Sequence, residues 1–150
     1  MTDDNAAQRG NYEATYAAAR RDPEAFWGAA AATVDWYQQP RRILDDSNSP
    51  FTRWFPDGVI NACFNALDRH VEGGRAEQLA LIYDSPLTGS QQTFTYRALR
   101  DRVARFAGAL ASLGIAKGDR VVIYMPMVPE AVIAMQACAR IGAIHSVVFG

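Results

Sequence analysis

The residues from Arg120 to Phe149 constrain the fold more than any other stretch of the chain. Arg120 to Met125 reads as a continuous apolar strand. Pro129-Glu130 then opens a helix that is apolar nearly all round, through Ala131, Val132, Ile133, Ala134, Met135, Ala137, Cys138 and Ala139, and Gly142 ends it. Ala143 to Phe149 is strand-like again. Strand, buried helix and strand make a βαβ unit. Strands that are continuously apolar rather than alternating predict a parallel sheet covered on both faces. Its crossover should be right-handed. Ligands of such sheets sit beyond the carboxyl ends of the strands, which here are Met125 to Pro129 and Phe149-Gly150.

The preceding residues add elements of less certain period. Asn11 to Arg21 suits a short helix with Tyr12 and Tyr16 one turn apart. Asp22-Pro23-Glu24 is a helix start: Asp caps, Pro fits the first helical position, and Glu complements the N-terminal dipole. That helix should carry Phe26 and Trp27 and end before Gln38-Gln39-Pro40. Arg41 to Asp57 follows neither period, and its Phe51, Trp54 and Phe55 predict an irregular arm whose aromatics dock on something larger. Ile60, Phe64, Leu67 and Val71 mark an amphipathic helix stopped by Gly73-Gly74. Leu79 to Tyr83 and Gln92 to Phe94 are strand candidates around a loop at Asp84 to Gln91. Thr95 caps a helix whose stripe is Leu99, Val103, Phe106, Leu110 and Leu113, with Gly114 as the stop. Arg97, Arg100, Arg102 and Arg105 lie mostly off that stripe; of the two readings, a basic partner site and a solvated face around Asp101, the solvated face is the better.

Composition excludes several functions. Fifteen Lys+Arg against 16 Asp+Glu leave a formal net charge of -1, so no field of one sign calls for nucleic acid or an anionic membrane. The start carries two acids and no apolar run, which fits neither a signal peptide nor a mitochondrial transit peptide. Pro126, Pro129, Glu130 and Arg140 break the most apolar stretch, leaving no run near the ~20 residues of a membrane span. The expectation is a cytoplasmic protein. Its two cysteines, Cys63 and Cys138, then read as reduced core thiols. Cys63/His70 and Cys138/His145 share a spacing of seven. On a helix that separates the pair by roughly 10 Å at 1.5 Å per residue, too far for one zinc ion. His145 should be a hydrogen-bonded core histidine. The carboxylate pairs Asp3-Asp4 and Asp45-Asp46 read as turn-forming or solvated. No phosphate loop, nucleophile elbow or zinc-protease motif occurs.

The run Tyr124-Met125-Pro126-Met127-Val128-Pro129-Glu130-Ala131, followed by Ala137-Cys138-Ala139-Arg140-Ile141-Gly142-Ala143-Ile144-His145-Ser146-Val147-Val148-Phe149-Gly150, closely resembles the short-chain acyl-CoA synthetases of the adenylate-forming superfamily. These are the acetyl- and propionyl-CoA synthetases. Phe94-Thr95-Tyr96-Arg97-Ala98-Leu99 is similar to that superfamily's first conserved block. Ser47 to Phe55 and Asn61 to His70 look like the subgroup's N-terminal extension, and the aromatic spacing of the arm leans toward the propionyl-CoA enzymes. One departure is Ala98, where the family often has Glu or Gln closing a capping box on Thr95.

The resemblance implies an α/β fold in which a helical and irregular extension precedes the first βαβ unit of a parallel sheet, itself an incomplete part of a large domain. Its divisions would be a disordered 1–11, an extension at 12–75 and the start of the AMP-binding domain at 76–150. It implies a two-step ligase: carboxylate and ATP give an acyl-adenylate and pyrophosphate, and CoA then yields acyl-CoA and AMP. ATP, CoA and Mg²⁺ are implied for the full-length enzyme, with a small carboxylate as substrate and no nucleic-acid or membrane partner. The family's phosphate loop, acid pocket and lysine have no counterpart in residues 1–150, so no catalytic or metal-binding residue is expected. Phe149 and Gly150 match the start of the Phe-Gly-Gly turn that holds CoA's nucleotide end. Met1 reads as a true beginning and Gly150 as a cut, which makes an inactive N-terminal fragment the expectation. The alternative is a non-catalytic binding or regulatory module that keeps a synthetase-like fold.

Overall fold

The computed structural model describes residues 4–148, arranged in two compact units, Met1–Ile60 and Asn61–Gly150.

The first unit opens with helix α1, Asp4–Arg21, which begins earlier than the expected Asn11. Tyr12 and Tyr16 stack one turn apart with centroids at 5.9 Å, and the Arg20 guanidinium lies 5.9 Å from the Tyr16 ring. Helix α2, Pro23–Ala31, starts as its sequence demands: the Asp22 carboxylate accepts the Ala25 N–H at 3.0 Å. It stops well before Gln38. The Thr33 hydroxyl and the Trp36 indole N–H both turn back, each at 2.8 Å, onto the carbonyls of Ala30 and Ala31. Such side-chain donors satisfy the orphan carbonyls of a helix end and remove the reason to continue.

The arm is irregular apart from β1, Leu44–Asp45, and β2, Arg53–Trp54, which pair antiparallel. Asp45 organises it. Its carboxylate accepts from the Ser47 hydroxyl at 2.6 Å and from Arg53 Nη2 at 2.7 Å. These bonds, the Ser47 hydroxyl first, hold its pKa down to about 2. Asp45 is 5% exposed, so of the two readings for Asp45-Asp46 turn formation applies to it and solvation does not. The Asp57 carboxylate accepts the backbone N–H groups of Arg41 and Arg42. Burial would raise its pKa, but these N–H donors outweigh that and lower it. The aromatics pack on one another, Trp27 edge-on to Trp54 at 6.2 Å and Trp36 tilted against Phe55 at 5.4 Å. Among the described residues of this unit no apolar side chain is buried.

The second unit holds the core. A helical stretch over 62–75 contains two π-helical turns, Phe64–Asp68 and Val71–Arg75. A π turn widens the repeat beyond 3.6 residues. The buried set is Cys63, Leu67 and Asp68; of the expected stripe Leu67 is buried, Phe64 and Val71 are half-buried, and Ile60, which precedes the helical stretch, is exposed. Gly74, at φ 84°, ends the stretch as expected. Strands β3, Leu79–Ser85, and β4, Ser90–Thr95, form an antiparallel hairpin longer than the sequence suggested, since their register continues out to Ser85–Ser90.

Helix α3, Tyr96–Ser112, is capped by the Thr95 hydroxyl, which accepts the Ala98 N–H at 3.2 Å. Its buried stripe is Leu99, Val103, Ala107 and Leu110. Phe106 and Leu113, both expected inside, are 37% and 79% exposed. A straight helix drifts against a strict 3–4 repeat, so later members rotate off the face that Leu99 and Val103 set. Outside the stripe, Arg100 pairs with Asp101 at 2.7 Å, Arg97 with Glu77 at 2.8 Å, and Arg102 lies over the Phe94 ring at 4.8 Å.

Strand β5, Arg120–Tyr124, helix α4, Pro129–Ile141, and strand β6, Ile144–Val148, follow in order. β5 and β6 are parallel neighbours, in register from Arg120–Ile144 to Tyr124–Val148. Gly142, left-handed at φ 77°, turns the chain out of α4, and a Cβ there would lie 3.0 Å from Lys117 Cγ. α4 packs on α3, and their facing residues join Cys63, Leu67 and Phe94 in one cluster. Burying a side chain such as Leu99 there contributes about 1.5–3 kcal/mol.

The sheet departs from the expected cover on both faces. Ile123 is buried, but Val122, Tyr124 and every residue of β6 are exposed. His145 is therefore on the surface and not in the core. The continuous apolar strands call for a second layer, and no element among the described residues supplies it.

Candidate functional site

The parallel register brings Tyr124 and Val148 side by side, so the chain leaves both strands at the same edge of the sheet. From β5 it enters Met125–Val128 and then α4. The Val128 N–H donates to the Pro126 carbonyl at 2.8 Å, and Ala131 N–H donates to Val128 at 3.0 Å, which fixes this loop tightly. Pro129 occupies the first turn of α4, where a missing N–H costs nothing. From β6 the chain enters Phe149 and Gly150, the two sequence-derived cofactor residues, and both lie outside the described residues.

A cleft of about 260 Å³ opens beside the loop. Its walls are Leu81, Ile82, Tyr83 and Asp84 of β3, Met127 and Val128 of the loop, and Pro129 and Val132 of α4. Sequence reasoning found the loop but not the hairpin opposite, because the periodicity of β3 does not say which loop it meets. Its lining residues are apolar apart from Tyr83 and Asp84, and the Asp84 carboxylate accepts from Gln91 Nε2 at 3.2 Å. These residues do not fit a nucleotide phosphate or its Mg²⁺. The rim is acidic, and among the described residues no group of three His, Cys, Asp or Glu could hold a metal.

A second cluster was not legible in the sequence. Arg140, near the end of α4, donates from Nη2 to Asp68 Oδ1 at 2.7 Å and from Nη1 to Asp68 Oδ2 at 2.9 Å. Nη1 also reaches Cys63 Sγ at 3.4 Å. The Asp68 carboxylate holds the Arg140 pKa above its usual value. Burial pushes the Cys63 thiol up, and Arg140 only partly offsets it. Cys138 is likewise raised by burial. Both thiols are free and buried. Asn61 completes the cluster: its Nδ2 donates to the carbonyls of Ala139 and Arg140, and its Oδ1 accepts the Phe64 N–H. One side chain thus caps the start of one helical stretch and the end of another. This cluster sits at the amino end of β6, away from the Tyr124 and Val148 ends of the two strands, and its chemistry is that of a clamp.

His70, the other half of the Cys63 spacing, does not approach Cys63 as a co-ligand. Its ring lies tilted against Tyr96 at 4.8 Å, and its Nδ1 lies 3.2 Å from Arg75 Nη1. No described helix is long and apolar enough to cross a membrane.

Two family models match the chain. Residues 12–66 match the acetyl-coenzyme A synthetase N-terminus, and residues 67–150 match the AMP-binding enzyme model. Acyl-CoA synthetase short-chain family member 3, mitochondrial, of Homo sapiens is 52% identical over 139 residues, 93% of this chain and 20% of that protein. An acetyl-coenzyme A synthetase of Paraburkholderia phymatum is 54% identical over 140 residues, 93% of this chain and 21% of that protein. Among solved structures, an acetoacetyl-CoA synthetase from Streptomyces lividans superposes with a TM-score of 0.76 at 34% identity, over 84% of this chain and 19% of that one. The chain spans about a fifth of the length of the relatives it matches. A match to the acetyl-coenzyme A synthetase N-terminus followed without a gap by the AMP-binding enzyme match, which covers more than half of the residues, places this chain in the AMP-binding enzyme family.

Proposed function

We propose that the chain is the N-terminal part of an ATP-dependent short-chain acyl-CoA synthetase. The whole protein would convert a small carboxylate, ATP and CoA to acyl-CoA, AMP and pyrophosphate, with propionate preferred to acetate. In this reading residues 12–75 form the extension, 76–150 begin the large domain, and β5–α4–β6 is the first βαβ unit of its sheet. The carrying observation is the order of the two family matches, extension first and AMP-binding segment second, along one uninterrupted chain.

The part played by residues 1–150 is architectural. They supply the strand edge from which Phe149 and Gly150 depart, the position that a turn holding CoA's nucleotide end requires. ATP, Mg²⁺ and the acid would be held by later segments, in keeping with the acidic, apolar rim of the cleft and the missing phosphate loop. Residues 1–150 alone are then inactive. The test is carboxylate-dependent ATP–pyrophosphate exchange. The longer protein should exchange with propionate faster than with acetate, and residues 1–150 should give no exchange above blank. Exchange by the isolated chain, or none by the longer protein with any short acid, would sink the reading.

A further inference from the structure

The outer face of α3 carries a stripe that the core does not use. Arg102, Arg105, Phe106 and Ala109 line a groove of about 470 Å³ there, and exposed Leu113 continues it one turn on. All four lining residues come from one helix, so the groove has a floor and no opposite wall. A partner surface, rather than a small molecule, closes such a site, because small-molecule pockets enclose most of their ligand. Its apolar half consists of the two side chains expected in the core, Phe106 and Leu113. Its basic half differs from the other arginines of α3. Glu77 neutralises Arg97, and Asp101 neutralises Arg100. Among the described residues no carboxylate pairs with Arg102 or Arg105, yet both are held in place. The Arg102 guanidinium lies over the Phe94 ring at 4.8 Å, and Arg105 Nε donates to the Asp101 carbonyl at 3.3 Å. Both contacts leave the Nη groups free for a carboxylate. Side chains fixed in advance lose less freedom when a partner arrives.

We propose that this stripe docks an amphipathic helix of a different protein, with acids at i and i+3 over Arg102 and Arg105. A Leu-like side chain at i+7 then settles over Ala109, between Phe106 and Leu113. The spacing follows from the stripe itself, since Arg102, Arg105 and Ala109 stand at the same offsets on α3. Charge complementarity selects the acids, and Ala109 is small enough to let a second helix approach. A second copy of this chain does not qualify. Its α3 stripe carries no acid, so two such faces would set arginine against arginine or against apolar side chains. Asp68 and Glu72 are the only acids three or four apart within a described helical stretch, and Arg140 occupies Asp68. The inference does not use the synthetase reading.

The probe is a synthetic Ala-rich helical peptide with Glu at i and i+3 and Leu at i+7, titrated against the full-length protein by fluorescence anisotropy. It should bind with a Kd below about 1 mM. The same peptide with Lys in place of each Glu should bind about tenfold more weakly or worse. Arg102→Glu together with Arg105→Glu should reverse that preference, the Lys peptide now binding better. Leu113→Glu lies away from the Arg102–Phe94 contact, so it tests the stripe even where the double variant loses its fold. It should weaken the Glu peptide by about tenfold, with the circular dichroism spectrum retained. No binding of the Glu peptide, equal binding of the Lys peptide, an unreversed preference in a folded double variant, or binding untouched by Leu113→Glu overturns the proposal.

Discussion

Replacing Asp68 by Asn keeps the shape of the Arg140 clamp and removes its negative charge. Removing one partner of a fully buried ion pair costs about 3–5 kcal/mol, whereas exposed pairs contribute about 0–1 kcal/mol. Asp68 and Arg140 are 12% and 29% exposed, which places the pair between these limits. Arg140 would keep its charge against the buried Cys63 thiol with one acceptor weakened. The expected loss is about 2 kcal/mol, discounted from the buried value because water still reaches Arg140. For a unit of the size of residues 61–150 that lowers Tm by roughly 8–16 °C. Tryptophan fluorescence would miss it, since Trp27, Trp36 and Trp54 all belong to the other unit. The assay is urea unfolding by far-ultraviolet circular dichroism, with amide exchange resolved over α4. Arg140→Gln and the double variant complete a cycle, and coupling of about 1–2 kcal/mol is expected for groups in contact. Glu77→Gln, which breaks the exposed Arg97 pair, should change stability by less than about 0.5 kcal/mol. If Asp68→Asn is as mild as Glu77→Gln, or the cycle shows no coupling, the clamp is a bystander.

Leu99→Ala should destabilise by about 2–5 kcal/mol while Leu113→Ala stays within about 0.5 kcal/mol in the same urea titration; comparable losses would mean that both face the core. Thr95→Ala should cost about 1 kcal/mol, and Ala98→Glu should recover a few tenths by closing the capping box, read as shifts in the α3 melting curve. Asp45 titrates at about 2 in the folded arm against the ordinary 3.8. Its contribution is complete above 3.8 and disappears as pH falls toward 2. Trp54 fluorescence should therefore report loosening of β1–β2 in that window, and Asp45→Asn should remove the transition. Gly142→Ala forces a side chain into a left-handed residue against Lys117 and should lower stability by about 1 kcal/mol or more, measured by thermal melting.

The local elements were legible because their causes are local. Asp22 and Thr95 each find a donor three residues on, and Gly114 and Gly142 stop helices by adopting positive φ. No partner outside the segment is needed for either device. The family resemblance was legible for the same reason, being carried by contiguous runs. Where the repeat itself changed, periodicity was only partly right: Leu67 of the expected stripe is buried, but Cys63 and Asp68 join it in place of Phe64 and Val71, which are half-buried. His145 failed differently, because an apolar strand is buried only where a layer covers it, and β6 stays exposed although α4 packs against the sheet.

By itself, then, the sequence determined where most helices and strands start and stop and that β5 and β6 run parallel around α4. Tertiary structure alone decided which loop faces the β3 hairpin and which acid meets Arg140. Asp68 and Arg140 lie 72 positions apart, and neither residue carries a mark of its partner. A charge pair or a cleft wall is a meeting of surfaces, and its free energy depends on distance and on water excluded by packing, neither of which has a period along the chain.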